Sequence, residues 1–242
     1  MKAFLMIGQS NMAGRGDFEE VYPIDNPHIF MTRNGRWLKM TDPVNPDRSV
    51  VYPFGDGRYH SGVSMAPSFA EAYANYYGED VGVIPCADGG TCISQWAKGE
   101  ILFDHAVFQA KLAMRTSELV GIIWHQGESD SNTPERADAY FDRLTAFFRD
   151  LREALGVGNI PVVMGELGRY MLESPMKELF PHSSQINCEI HRAAEAIGNA
   201  GVASSEGLVT RVDGIHFNSP SLRTFGRRYF EVYQKLAESK KG

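Results

Sequence analysis

The sequence predicts an α/β fold, a mainly parallel, doubly wound sheet with helices on both faces. Three observations predict it. Short, nearly continuous apolar runs recur along the chain, as parallel strands covered on both faces require. Stretches of helical periodicity separate these runs. The 242 residues are 43% hydrophobic and 22% charged, which is enough apolar material for a buried core.

Taken in order, the expected strands are Ala3–Ile7, Val81–Pro85, Leu119–Trp124, Ile160–Met164 and Gly201–Ser204, with a further strand near His28–Thr32. The helices between them carry clearer end signals. Ser64-Met-Ala-Pro67 opens a helix that runs to Tyr77 and stops at Gly78. Asp104–Ser117 forms the next. Thr133-Pro134 offers an N-cap and a first-turn proline for a long helix ending at Gly156, with Tyr140, Leu144, Phe147, Phe148 and Leu151 as its core stripe. Ser184–Asn199 follows. The last helix starts at Ser219-Pro220 and buries Phe225, Tyr229, Val232, Tyr233 and Leu236. The chain reads as a single domain over 1–242.

Residues 16–62 break this rhythm. Pro23, Pro27, Pro43, Pro46 and Pro53 interrupt them, and Tyr22, Trp37, Tyr52, Phe54 and Tyr59 supply aromatic material. A long irregular segment with that content either packs over a sheet edge or forms a wall of the substrate cleft.

A formal net charge of −6 excludes the basic surface of a nucleic-acid binder. No apolar run reaches the roughly 20 residues of a bilayer span. The apolar start runs directly into Ser10 without a signal-cleavage site, so the chain is expected to be cytoplasmic. Cys86, Cys92 and Cys188 show no zinc-site pattern and read as reduced, structural thiols, although Cys86 and Cys92 are near enough in sequence to bridge. His28, His60, His105, His182 and His191 share no ligand spacing, so neither a metal nor a cofactor is expected.

In such a sheet, the loops beyond the carboxyl ends of the strands gather the chemistry. Ser10 follows the first apolar run, and Asp213 and His216 stand three residues apart near the other end. A serine hydroxyl is a weak nucleophile until a base takes its proton. His216 can take that proton, with Asp213 holding the imidazole. The oxyanion of an ester's tetrahedral intermediate needs donors. Candidates are the Ser10 N–H, the Gly90 N–H in the Asp88-Gly-Gly-Thr91 turn, and the side-chain amide of Gln126.

Gly8-Gln-Ser-Asn-Met-Ala-Gly14, Gly89-Gly-Thr-Cys-Ile-Ser-Gln-Trp96, Trp124-His-Gln-Gly-Glu-Ser-Asp130 and Asp213-Gly-Ile-His216 together resemble the SGNH hydrolases. The likeness is to their sialate O-acetylesterase and acetylxylan esterase branch, carbohydrate esterase family six. These segments span nearly the whole chain in family order. The resemblance implies a three-layer α/β/α sandwich with a flavodoxin-like, mainly parallel five-stranded sheet, and metal-free removal of acetyl groups from O-acetylated sugars. It assigns Ser10 as nucleophile, His216 as base, Asp213 as its partner, and Gly90 and Gln126 as oxyanion donors. Gln126 replaces the asparagine of the wider superfamily, and adjacent Gly89 competes with Gly90 as backbone donor.

Several residues keep two readings. Glu166 is a rival to Asp213 as the triad acid. Glu128 is expected to support the loop that presents Gln126, and Asn11 to fix the turn at Ser10. Arg15 either lines the cleft or pairs with Glu128. His125 packs beside Trp124, and Trp96 either stacks on a sugar or anchors packing. The competing functions are a lipase- or thioesterase-like hydrolase of longer acyl esters and a carbohydrate-binding protein without catalysis.

Overall fold

The computed structural model describes residues 1–46 and 60–239. Its sheet is built from β1 (Lys2–Gly8), β2 (Ile29–Arg33), β3 (Arg36–Lys39), β4 (Val81–Pro85), β5 (Glu118–His125), β6 (Val162–Gly165) and β7 (Ala200–Ala203). They lie in the order β3-β2-β4-β1-β5-β6-β7, parallel except for β3. The five strands expected with most support are β4-β1-β5-β6-β7, numbered 2-1-3-4-5 among themselves, which is flavodoxin order.

The expected count of five strands is corrected to seven among the described residues. β2 was anticipated near His28–Thr32, but its partner β3 was not. The missed signal is Asn34-Gly35, where φ is 51° and 72°, the left-handed pair of a tight hairpin turn. The hairpin extends the sheet edge beyond β4. Tyr52, Pro53, Phe54 and Tyr59 lie outside the described residues.

The helices are α1 (Ser10–Ala13), α2 (Ala66–Tyr77), α3 (Ile101–Ala113), α4 (Pro134–Asp138), α5 (Tyr140–Leu155), α6 (Ser183–Ile197) and α7 (Ser219–Glu238). The single helix expected from Thr133 to Gly156 is two, because the chain turns at Ala139 between α4 and α5. Thr133 makes no side-chain capping bond there, whereas Asn218 caps α7 by accepting from the Ser221 N–H.

Strand alternation sorts the core into two layers. Ala3, Leu5 and Ile7 of β1 pack with α3, α5 and α6, and Phe4 and Met6 pack with α2 and α7. Phe4 meets Phe69, Tyr73 and Tyr233 edge to face at 4.7–5.4 Å. Cys86, Cys92 and Cys188 are free thiols. No helix among the described residues is long and apolar enough to cross a membrane.

A buried ion pair ties α7 to this frame. Arg223 donates to Asp42 and to the Ser64 carbonyl, and Asp42 accepts from the Ser64 N–H. Arg223→Met would leave Asp42 buried and unpaired. A loss of about 3–5 kcal/mol in urea unfolding is expected, and an unchanged midpoint would contradict it.

Candidate active site

The β1 and β5 backbones approach so closely at their carboxyl ends that only glycine fits. A Cβ on Gly8 would lie 2.1 Å from the His125 carbonyl oxygen, and Gly8 has φ of 136°. The chain leaves this crossing as Gln9 and turns into α1 with Ser10 as its first residue. Ser10 thus stands at the switch point of the sheet, between the β4 side and the β5 side.

Ser10, His216 and Asp213 are joined by hydrogen bonds. Ser10 Oγ lies 2.9 Å from His216 Nε2, and His216 Nδ1 lies 2.9 Å from Asp213 Oδ2. Asp213 Oδ1 also accepts from the Ile215 and His216 N–H groups, both at 2.9 Å. Burial pushes the Asp213 carboxyl up, but the His216 side chain and these two backbone donors hold it well below the usual carboxylate range.

The 213–216 turn is anchored from several sides. Ser174 Oγ donates to the Gly214 carbonyl at 2.7 Å, and Tyr170 Oη to the Ile215 carbonyl at 2.9 Å. Arg211 donates to the Arg15 carbonyl and to Asp17 Oδ1, and its guanidinium lies 4.0 Å from Asp213 Oδ2. Sequence reasoning missed Arg211, Tyr170 and Ser174 because isolated polar residues in loops carry no spacing signal.

Asn11 links the Ser10 turn to the segment that follows His216. Its Oδ1 accepts from the Phe217 N–H at 3.0 Å, and its Nδ2 donates to Glu128 Oε1 at 2.7 Å. Glu128 also lies 3.3 Å from His125 Nε2. Burial raises the Glu128 carboxyl, but His125 and Asn11 outweigh it and hold the group below its ordinary value. Glu128 therefore braces Asn11, and Arg15 donates to the Gly14 carbonyl. His125 is fully buried between Phe217 and Phe225, with Nδ1 3.2 Å from Tyr229 Oη.

The β4 exit borders Ser10. A Cβ on Gly89 would lie 3.3 Å from Ser10 Cβ and 2.7 Å from Arg15 Nη2, whereas one on Gly90 would meet nothing within 4 Å. Gly89 therefore packs directly against Ser10. Asn45 clamps this loop by bonding both the N–H and the carbonyl of Ala87 at 3.0 Å, so part of the 16–62 segment supports the site while its hairpin covers the edge.

Gln126 Nε2 donates to the Thr91 carbonyl at 2.8 Å and to Asp130 Oδ2 at 2.5 Å. These two bonds occupy both amide hydrogens. Trp96 is fully buried, stacked edge to face on Trp124, and donates to Thr91 Oγ1, so it anchors packing and offers no face to a sugar.

Glu166 lies apart from His216. It binds Arg169 bidentately at 3.1 Å, His191 at 3.0 Å and the Ser205 N–H at 2.9 Å. Burial raises its carboxyl, but Arg169, His191 and Ser205 bring it down to about 2. Since the unfolded group titrates near 4.3, this stabilisation is complete above about pH 4.5 and is lost as pH falls towards 2. Arg169 and His191 are half exposed and screened. Glu166→Gln is expected to cost about 1–3 kcal/mol at pH 7 and to converge on wild type near pH 2. Urea titrations across that range check it; a constant difference would refute it.

Among the described residues, no group of three or more His, Cys, Asp or Glu side chains is arranged to hold a metal ion. A family model for carbohydrate esterases, the sialic acid-specific acetylesterases, matches residues 1–235. A probable carbohydrate esterase of Arabidopsis thaliana is 29% identical over 255 residues, 95% of this chain and 89% of that protein. Its crystal structure superposes with a TM-score of 0.79 at 22% identity, covering 97% of this chain and 98% of that one. NanS superposes at 0.77 with 16% identity, covering 98% and 97% of the two chains. A carbohydrate acetylesterase of Xanthomonas citri superposes at 0.68 with 16% identity over 98% of this chain and 56% of its own. By its motifs, its fold and this match, the chain belongs to the sialic acid-specific acetylesterase family of carbohydrate esterases and is a carboxylic ester hydrolase of acetylated carbohydrates.

Proposed function

We propose that the enzyme removes acetyl groups from O-acetylated sugars through a Ser10–His216–Asp213 triad and an acetyl-enzyme. The observation that carries this reading is the unbroken hydrogen-bond chain from Ser10 Oγ through the imidazole to Asp213. Asp213 takes the Nδ1 proton in hydrogen bond, which leaves Nε2 free to accept from Ser10. Ser10 Oγ attacks the acetyl carbon, its proton passes to His216 Nε2, and the carbonyl π pair moves onto oxygen. The N–H groups of Ser10 and Gly90 face that charge. When the carbon–oxygen bond to the sugar breaks, the proton moves from His216 to the departing sugar oxygen, which leaves as the hydroxyl. Water then repeats the sequence, releasing acetate and restoring Ser10.

The sugar is a small O-acetylated molecule, and the family's description points first to acetylated sialic acid. Three free cysteines fit a reducing compartment, the cytoplasm. The test is hydrolysis of p-nitrophenyl acetate, p-nitrophenyl octanoate and an O-acetylated sialic acid by wild type and Ser10→Ala. The proposal expects acetate to be preferred over octanoate and the sialic acid to be deacetylated, both lost in the variant. Preference for octanoate would move the enzyme to the lipase- or thioesterase-like class. Sugar binding without hydrolysis would make it a binding protein.

A further inference from the structure

Gly8 and His125 are register partners at the ends of β1 and β5, so Gln9 and Gln126 leave the sheet side by side. Their amides are used in opposite ways. Gln126 spends both Nε2 hydrogens on Thr91 and Asp130. Gln9 uses its oxygen: Oε1 accepts from the Gly127 and Ser129 N–H groups at 3.3 and 3.4 Å. Two N–H donors fix that end as oxygen and the other as NH2. Gln9 is 3% exposed, yet its Nε2 meets no hydrogen-bond partner among the described residues. An unspent donor on the residue next to Ser10 stands where a site that awaits charge needs one.

We propose that Gln9 Nε2 is the side-chain donor of the oxyanion hole, in the role expected of Gln126. The inference rests on Ser10 being the nucleophile. As the Ser10 Oγ–carbon bond forms and the carbonyl pair shifts to oxygen, a Gln9 N–H joins those of Ser10 and Gly90 on the new charge. When the leaving oxygen departs with its proton from His216, the pair returns to the carbonyl and that hydrogen bond weakens. Because Gln9 is held by the β5 loop, the donor is oriented before substrate arrives.

Gln9→Glu tests this. It keeps the acceptor for Gly127 and Ser129 and replaces the NH2 by an oxygen that repels the oxyanion. On p-nitrophenyl acetate, kcat should fall about 10²–10³-fold with KM within about threefold of wild type. A second measurement needs no variant. Diethyl p-nitrophenyl phosphate should form a Ser10 Oγ–phosphorus bond and expel p-nitrophenolate, and a crystal structure of that adduct should place Gln9 Nε2 about 2.7–3.1 Å from the phosphoryl oxygen. An unchanged kcat, an effect on KM alone, or an adduct with Nε2 turned away overturns the assignment. Should Ser10→Ala keep wild-type turnover, the nucleophile itself is wrong and the inference falls with it, which separates the two failures.

Discussion

Ser10→Ala is expected to lower acetate release by about 10⁵–10⁶-fold while leaving the fold intact. In the proposed mechanism the hydroxyl forms the covalent bond to the acetyl carbon, so no neighbour replaces it. Its side chain bonds to His216 Nε2, which makes removal structurally cheap. The variant's melting temperature should match wild type within a few degrees, and any remaining rate reflects donors acting on a water attack. Turnover within tenfold of wild type would rule out the acetyl-enzyme.

Asp213→Asn is expected to cost about 10⁴-fold in kcat. The two backbone N–H groups at Oδ1 would hold the asparagine oxygen there and turn its NH2 towards His216 Nδ1. Nδ1 would then have to accept, the proton would sit on Nε2, and that nitrogen would donate to Ser10 instead of taking its proton. The wild-type carboxyl, held well below its ordinary value, stays ionised across the working range, so the variant's defect persists from pH 5 to 8. Measuring kcat over that window checks the argument; a loss below tenfold would transfer the acid's role elsewhere. Its stability contribution is present above the unfolded value near 3.9 and fades only under strong acid.

Much of the fold was legible because strands buried on both faces must be apolar, and β1, β4, β5 and β6 are, save for Lys2, Glu118 and His125 at strand ends. Gly78 and Gly156 end α2 and α5 with φ of 65° and 67°, as helix-stopping glycines should. The edge hairpin was less legible, since β3 is half solvent-facing and reads Arg-Trp-Leu-Lys without an apolar run. The break at Ala139 carried no signal either, because alanine is the best helix former and neither Gly nor Pro flanks it.

At the site, the division falls between residue identity and hydrogen-bond partnership. Ser10, His216 and Asp213 could be picked out because their chemistry demands those residue types, and a three-residue spacing lets one turn hold acid and base. Gln9 and Gln126 are the same residue type beside neighbouring glycine turns, and nothing local distinguishes their amides. Their hydrogen bonds differ because Asp130 and the Thr91 carbonyl face one, while the N–H groups of Gly127 and Ser129 face the other. Chain order dictates which side chains reach the sheet's edge. Which donors remain unspent there depends on contacts between segments up to 120 residues apart, and those exist only once the sheet has brought the loops together.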